Sequence, residues 1–302
     1  MSKNTNRING WLVIDKPLNV GSTTVVSKLK WALSPQKIGH AGTLDPLATG
    51  VLPIALGYAT KLIPFVMDGQ KIYDFQITWG TETTTDDRAG DIVQSSSIRP
   101  TQTDIEAILP RFIGVIDQEP PAYSALKING KRAYDLARSG QEVLLKKRPV
   151  RIDGLTLLKQ DTDTADFRVV CGKGTYVRSL GRDLGRQLGC LGHISALRRL
   201  ACGPFSIEQA LPLSCFNTQN PAISFLPIET ALDNLAKLSL PEAETHRLCL
   251  GQRLSLRSVQ PYLSRPIVED DILCLMHQGK LIGLTQLRKQ TIHPYRIFQN
   301  EL

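Results

Sequence analysis

The sequence predicts an α+β fold with a mixed or antiparallel central sheet, followed by a small β-rich module at the C-terminal end. Segments of helical and strand period alternate irregularly along the 302 residues, unlike the regular strand–helix units of an α/β fold. No glycine-rich dinucleotide fingerprint opens a helix after a strand. Residues 211–227 are rich in proline, asparagine and serine, which is typical of a linker between two bodies.

The first elements follow from their hydrophobic periods. The apolar run 12–14 predicts a buried strand, and residues 75–79 alternate as in a half-buried strand. Between them, Ser22 or Thr23 can cap a helix whose apolar residues recur on one face.

Further helices and strands complete the larger body. Thr103 and Glu106 have the spacing of a capping box before a helix. Residues 155–158 and 167–171 predict two more strands, and apolar residues at helical spacing over 177–188 predict the helix after them.

The C-terminal module shows one helix and one hairpin. Pro241 can open a short helix that ends near Gly251. Two apolar runs flank Gly279, a pattern that indicates a β-hairpin.

Composition favours a polyanionic partner. The formal net charge is +8, which suits nucleic acid or an anionic surface. The sequence contains no run of about 18 apolar residues, so no membrane-spanning helix is predicted. The polar N-terminus lacks the apolar core of a signal peptide. The six cysteines lie far apart without metal-binding spacing, so we expect reduced thiols in a cytoplasmic protein and no metal.

Asp45 is the main candidate for a catalytic group. It precedes Pro46, and an Asp–Pro pair by itself is usually a turn. However, the surrounding segment 39–50 contains three glycines and is followed by an apolar run. Such a loop holds its carboxylate near a desolvated site, where a cation or hydrogen bonds must stabilise the charge.

Arg178 is a candidate partner for that carboxylate. It follows a predicted strand and lies at the start of the helix over 177–188. The alternative is an exposed helix arginine, and we expect Arg182 and Arg186 to be exposed or to face phosphate. Nothing in the spacing alone pairs Arg178 with Asp45.

Two basic stretches favour RNA. Residues 127–151 contain eight lysines and arginines against two carboxylates, and residues 168–199 contain seven against one. These stretches predict phosphate contacts with salt-dependent affinity. The tyrosines among them suit stacking on unpaired bases. The cations assigned to the RNA backbone are Lys127, Lys131, Arg132, Lys146, Lys147 and Arg148.

Six motifs closely resemble the TruB family of tRNA pseudouridine synthases, and they occur in family order across residues 10–210. They are Gly39–Gly50, Lys16-Pro17, Lys71-Ile72-Tyr73, Tyr123-Ser124-Ala125-Leu126-Lys127, Gly174-Thr175-Tyr176-Val177-Arg178 and Leu197-Arg198-Arg199-Leu200. The long segment around Asp45 is the specific one.

The resemblance implies a fold and a reaction. Residues 1–230 would form a catalytic domain of the pseudouridine synthase fold, and 122–150 would be its basic insertion that closes on the tRNA arm. Residues 231–302 would form a PUA-like RNA-binding module. The reaction would convert uridine 55 in the TΨC arm of tRNA to pseudouridine after base flipping. It would need no cofactor, no metal and no obligatory protein partner, and the protein would act as a monomer.

The resemblance also implies residue roles. Asp45 would act as a nucleophile on the ribose or the base, or as a base on the ribose. The remaining roles would fall to seven residues: Arg178 would pair with Asp45, Tyr73 would stack on the uracil, Tyr176 and Leu197 would border the substrate, His40 would help hold the extruded base, and Lys16 and Pro17 would brace the loop. Besides the alternative already given for Arg178, the structural alternatives are a strand aromatic in the core for Tyr73, a neutral loop histidine for His40 and an ordinary core residue for Leu197.

Two other functions remain open. A guide-RNA-directed relative shares the Asp45 motif, although the basic insertion favours unaided tRNA binding. An RNA chaperone or tRNA-binding module belongs to a different class, in which catalysis is incidental.

Overall fold

A computed structural model of the chain describes residues 6–298, apart from 125, 129, 135–144 and 220–221. The chain divides into two compact units between Leu226 and Pro227. The division falls at the end of the predicted linker, but the first part of that linker is structured. Phe216 is fully buried in the core of the first unit. Removing its aromatic ring from water stabilises this packing.

The first unit is built on one large mixed sheet. In the described part of the chain it contains ten strands: β1 (Gly10–Lys16), β2 (Ile38–His40), β3 (Ala48–Leu56), β4 (Lys71–Trp79), β7 (Gly114–Gln118), β10 (Arg148–Gln160), β11 (Thr164–Cys171), β12 (Gly192–Cys202), β13 (Phe205–Ser206) and β14 (Leu211–Pro212). Two separate hairpins supply β5 (Thr81–Thr83) with β6 (Ile92–Ser95), and β8 (Lys127–Ile128) with β9 (Lys131–Arg132).

The strand order runs β14-β1-β3-β12-β4-β11-β10-β7, with β2 beside β3 and β13 beside β12. β3 and β12 are parallel, as are β1 and β14, and the other pairs are antiparallel. The predicted mixed sheet of an α+β fold is therefore confirmed. Strand β12 is central, since it pairs with β3 on one side and β4 on the other.

The α-helices of the first unit that the structure describes in full are α1 (Ser22–Leu33), α2 (Ile63–Asp68), α3 (Gln102–Ile108) and α4 (Val177–Gln187). Leu180 and Leu184 of α4 join a core with Phe75, Ile77 and Phe167 of the sheet. Both elements were predicted from the period of their apolar residues, and that period puts the apolar side chains of each element on one face. The apolar faces of the helix and of the sheet pack against each other in this core.

Two predicted helix caps are wrong. Gly21, and not Ser22 or Thr23, occupies the N-cap of α1. The capping box of α3 joins Thr101 to Asp104, two residues earlier than predicted. In the second case the actual pair has the same spacing as the predicted one, so local pattern alone did not distinguish them.

The second unit has its own five-stranded sheet and core. Its strands are β15 (Ala236–Ser239), β16 (Leu254–Ser255), β17 (Ile272–His277), β18 (Lys280–Arg288) and β19 (Thr291–Ile297), in the order β15-β17-β18-β19-β16. Its helices are α5 (Glu242–Cys249) and α6 (Leu256–Val259). The helix after Pro241 and the hairpin at Gly279 are as predicted. Among all described helices, none has the length and apolarity to cross a membrane.

Candidate active site

Asp45 lies in the turn between β2 and β3, and buried polar groups hold the residues on both sides of it. Ser22 Oγ accepts a hydrogen bond from Leu44 N and donates one to Leu44 O, both at 2.9 Å. The Lys16 ammonium donates to Pro46 O at 3.3 Å. The first turn of α1 and the end of β1 therefore anchor the main chain around Asp45.

Lys16 is fully buried. Its ammonium also donates to the carbonyls of Pro17 and Val20, at 3.0 and 2.6 Å. Burial lowers the pKa of Lys16 to about 8, with the Asp45 carboxylate acting in the opposite direction. Pro17 is exposed, so its contribution here is the carbonyl that Lys16 binds.

Arg199 of β12 supports the loop from the other side. Its side chain is 1% exposed, and it donates to Val51 O at 2.7 Å and Gly42 O at 2.9 Å. Gly50 has φ +98°, and a Cβ there would lie 2.2 Å from Arg199 O. The close approach of β3 to β12 therefore requires glycine at position 50.

The carboxylate of Asp45 meets Arg178 at the start of α4. Arg178 Nε lies 2.9 Å from Asp45 Oδ2; the arginine side chain is 7% exposed and the aspartate side chain 43%. The other guanidinium nitrogens donate to Thr85 O and Tyr123 O, each at 3.0 Å. These bonds fix the orientation of Arg178, so a buried charge stabilises a carboxylate that remains accessible from solvent.

The loop after β5 contributes two further carboxylates that the sequence analysis did not identify. Asp87 Oδ2 lies 3.9 Å from Arg178 Nε, while its other oxygen accepts from Thr85 Oγ1 and Ala89 N. Asp86 pairs with Arg182 at 3.0 Å, and burial raises the pKa of Asp86 to about 6. Adjacent aspartates among threonines and a glycine are typical of a turn. Nothing in the local sequence indicates that they lie close to Asp45.

An open cavity of about 600 Å³ adjoins the pair, within the usual size range of ligand sites. Asp45, Tyr73, Tyr176, Arg178 and Leu197 all line it. The sheet register explains part of this convergence, since Leu197 of β12 lies opposite Phe75 and Arg199 lies opposite Tyr73.

The two tyrosines are held in different ways. Tyr73 is half-buried on β4, and burial raises the pKa of its hydroxyl, opposed by the nearby Arg199 guanidinium. Tyr176 precedes α4, and its main chain exchanges two hydrogen bonds with the Gln118 amide. The Arg148 guanidinium lies 5.1 Å from the centre of the Tyr176 ring, a cation–π contact.

His40 does not line the cavity. It lies on β2, and its Nδ1 is buried without a hydrogen-bond partner among the described residues. Burial and the Arg199 charge lower the pKa of His40, which keeps the ring neutral near pH 7. The structure therefore separates His40 from the other predicted substrate contacts.

The predicted RNA-backbone cations fall into three groups. Lys146 and Lys147 are exposed. Arg148 instead lines the cavity and donates to Gly174 O at 2.7 Å. The side chains of the other three, Lys127, Lys131 and Arg132, lie outside the described residues.

The second basic stretch differs from expectation. Arg182 is buried rather than exposed and pairs with Asp86 and Asp183. Arg186 is exposed, as expected, but it pairs with Glu82. Folding brings carboxylates from distant segments to these arginines, so a local count of charges overstated the positive surface.

Four of the six cysteines are buried, Cys215 is exposed, Cys249 is half-buried, and all six are free thiols. Among the described residues, no three His, Cys, Asp or Glu side chains are placed to hold a metal ion.

Several solved structures have a fold similar to that of this chain. One is a chain of an H/ACA RNP bound to a substrate RNA containing 2'-deoxyuridine, with 22% identity, TM-score 0.74, and 96% of this chain and 85% of that chain covered. Another belongs to a Cbf5-Nop10-Gar1 complex, with 23% identity, TM-score 0.73, and coverage of 98% and 91%. The fold is that of the pseudouridine synthases.

Sequence comparison identifies the family within this class. Residues 30–177 match the model of the TruB family pseudouridylate synthase (N terminal domain), and residues 178–233 match the tRNA pseudouridylate synthase B C-terminal domain. The chain is 49% identical to tRNA pseudouridine synthase B of Rhizobium etli, covering 96% of both chains. It is 48% identical to the protein of that name from Agrobacterium fabrum, covering 96% of this chain and 95% of that one. The chain belongs to the TruB family of pseudouridylate synthases.

Proposed function

We propose that this chain isomerises uridine 55 in the TΨC arm of tRNA to pseudouridine. The observation that carries the proposal is the Asp45–Arg178 pair beside a cavity that Tyr73 and Leu197 also line. Relatives of nearly the same length are tRNA pseudouridine synthases B, which supports tRNA as the substrate.

The reaction rearranges atoms that are already in the substrate. The N1–C1′ bond breaks, the uracil turns, and a C5–C1′ bond forms; C5 then gives up its proton and N1 acquires one. Because there is no net oxidation or reduction, the proposed reaction uses no redox cofactor. A single carboxylate can serve it by attacking the ribose or the base, or by removing a proton from the ribose.

The geometry supports Asp45 as that carboxylate. Its half-exposed side chain reaches the solvent side of the cavity, while Arg178 stabilises its negative charge from the buried side. A uridine inside a folded RNA loop must be flipped out first, at a cost of a few kcal/mol. Tyr73, on the cavity wall, is the aromatic surface on which the extruded uracil would stack.

The two units would have different roles. Residues 1–230 would be the catalytic domain, with residues 122–150 as the insertion that grips the tRNA arm. Residues 231–302, which fold around a separate core, would be a PUA-like module that adds RNA contacts. We propose that the protein acts in the cytoplasm as a monomer on bare tRNA.

A guide-RNA-directed enzyme is the second candidate, because the structural neighbours include chains of H/ACA complexes. Incubating pure protein with unmodified tRNA transcript and mapping pseudouridine distinguishes the two. Modification of position 55 without guide RNA or added protein is the result we expect, whereas a requirement for a guide RNA would overturn the proposal.

Asp45→Asn separates catalysis from RNA binding. This variant keeps a similar shape but lacks the charged oxygen, so we expect no detectable pseudouridine and nearly unchanged tRNA affinity. Turnover close to that of the unmutated protein would contradict the role of Asp45. Preserved tRNA folding assistance in the inactive variant would show that a chaperone role coexists.

A further inference from the structure

A second hollow, of about 560 Å³, adjoins the Asp45 loop. Thr49 of β3, Gln76 of β4 and Ser195 of β12 contribute polar groups to it. A narrow cleft beside the Asp45–Arg178 pair is lined by Leu47, Arg88, Ser195, Ala196 and Leu197, which also line the hollow. Tyr73 lines neither of these two spaces.

Arg88 differs from the other cations around these spaces and the cavity. Each of the others has a partner within the protein, either a carboxylate or main-chain carbonyls; they are Lys71, Arg148, Lys159, Lys173, Arg178, Arg198 and Arg199. Arg88 is exposed, and its guanidinium contacts no acceptor among the described residues. A donor fork with five N–H groups is therefore free to bind an anion from outside.

The main chain at Arg88 is held in place although its side chain is free. Arg88 N donates to Ile194 O at 3.1 Å, and Ile194 N donates to Asp86 O at 3.0 Å. The neighbouring Asp87 carboxylate accepts from Ala89 N and Thr85 Oγ1. A fixed main chain limits the entropy lost when the side chain binds a partner.

The carboxylates that line the hollow are already bound by other groups. Asp74 receives two hydrogen bonds from Arg168, at 2.7 and 2.8 Å. Asp166 accepts one from the Gln76 amide at 2.9 Å. Among the residues that the structure describes, no ion pair joins Arg88 to an acid, so its charge stands without a direct partner next to the cleft that Asp45 lines.

We propose that Arg88 binds a phosphodiester group of the RNA strand adjoining the target uridine, within this hollow. The inference rests on the proposed function. The ribose of the target must reach Asp45, so the phosphates on either side of that ribose pass close to the cleft that Arg88 borders. A guanidinium matches phosphate geometry with two parallel hydrogen bonds.

The test compares Arg88→Ala and Arg88→Lys with Arg111→Ala. Arg111 is also exposed and lies in the same unit, but it lines neither hollow nor cavity. Binding to a tRNA TΨC stem-loop is measured from about 50 to 300 mM salt. We expect Arg88→Ala to weaken binding about two- to five-fold at low salt and to reduce the salt slope by about one phosphate contact. Arg88→Lys should restore part of the slope, and Arg111→Ala should change neither quantity.

A second arm locates the phosphate. Stem-loops carry a single uncharged methylphosphonate at each linkage around the target in turn. If Arg88 binds one of these phosphates, making that linkage neutral should weaken binding to the unmutated protein but should not weaken binding to Arg88→Ala any further. We therefore expect the effects of the mutation and of the neutral linkage to be non-additive at one linkage within two nucleotides of the target.

The outcomes distinguish the inference from the proposed function. If the unmutated protein modifies tRNA and every linkage is additive with Arg88→Ala, the phosphate contact is refuted and the function stands. If the unmutated protein neither binds nor modifies the stem-loop or tRNA, the proposed function fails and the contact fails with it.

Discussion

Replacing Arg178 with alanine tests the charge that holds Asp45 in place. The change removes the 2.9 Å ion pair to Asp45 and the hydrogen bonds to Thr85 O and Tyr123 O. Two unit charges at this separation attract by roughly 6 kcal/mol at an effective dielectric of about 20. Solvent screens the pair, since Asp45 is 43% exposed, so we expect a loss of about 3–4 kcal/mol of transition-state stabilisation, or about 10²- to 10³-fold in rate.

The assay follows single-turnover release of tritium from tRNA that carries tritium at C5 of its uridines, because C5 loses its proton in the reaction. Denaturant unfolding of the same samples measures stability, which should fall by about 2 kcal/mol since two carbonyls lose a donor. We expect Arg178→Lys to recover only part of the rate, because an ammonium lacks the fork that joins all three acceptors.

Arg182→Ala is the matched control. Arg182 lies one helical turn further along α4, is equally buried, and pairs with Asp86 and Asp183 rather than Asp45. Its loss should lower stability by a similar amount while changing the chemical step far less. A rate for Arg178→Ala within ten-fold of the unmutated protein, or an equal loss in Arg182→Ala, would refute the reasoning.

Three further predictions follow from the site and its surroundings. Ser22→Ala leaves the main-chain N–H and C=O of Leu44 without their hydrogen-bond partner. The free energy of unfolding should fall by about 2 kcal/mol, and kcat should fall by about ten-fold or more while KM changes little. An unchanged kcat in steady-state assays would contradict this role of Ser22. Replacing the exposed Lys146 and Lys147 with glutamine should weaken tRNA binding and flatten its salt dependence, whereas an unchanged slope would show that they do not contact phosphate. Burial raises the pKa of Asp86 from its ordinary value near 4 to about 6, so the stability that this shift contributes is present in full below about pH 4 and is lost as pH rises through about 6. Asp86→Asn should therefore gain stability relative to the unmutated protein between pH 4 and 7. A constant difference in denaturant titrations would refute the shift.

The sequence predicted the elements better than their ends. The helix that contains Arg178 and the hairpin at Gly279 were predicted correctly. In each of them the spacing of apolar residues within the segment itself indicates the type of element. The caps of α1 and α3 were misplaced, because several neighbouring Ser and Thr residues satisfy the same local rule. At Ser22 the hydroxyl bonds to Leu44 instead, a partner 22 residues away that no local pattern reveals.

The candidate site was also predicted in part. Asp45 was singled out from the composition of its loop, and the family resemblance implied its pairing with Arg178. The loop of Asp86 and Asp87 was missed, since its importance lies in contacts with Arg178 and Arg182, more than 90 residues distant. The basic stretch containing Arg182 was misread for the same reason, because local counting omits the carboxylates that folding supplies.

By itself, then, the sequence determined the family, the reaction class and the mixed α+β architecture of this protein, since motifs and hydrophobic periods are properties of neighbouring residues. Only the tertiary structure decided which charges are neutralised and which stay free. Burial is stabilising for Arg178 and Arg182 only with a partner, and those partners come from other parts of the chain. Arg88, which has no such partner among the described residues, is therefore identified by the fold and not by the sequence.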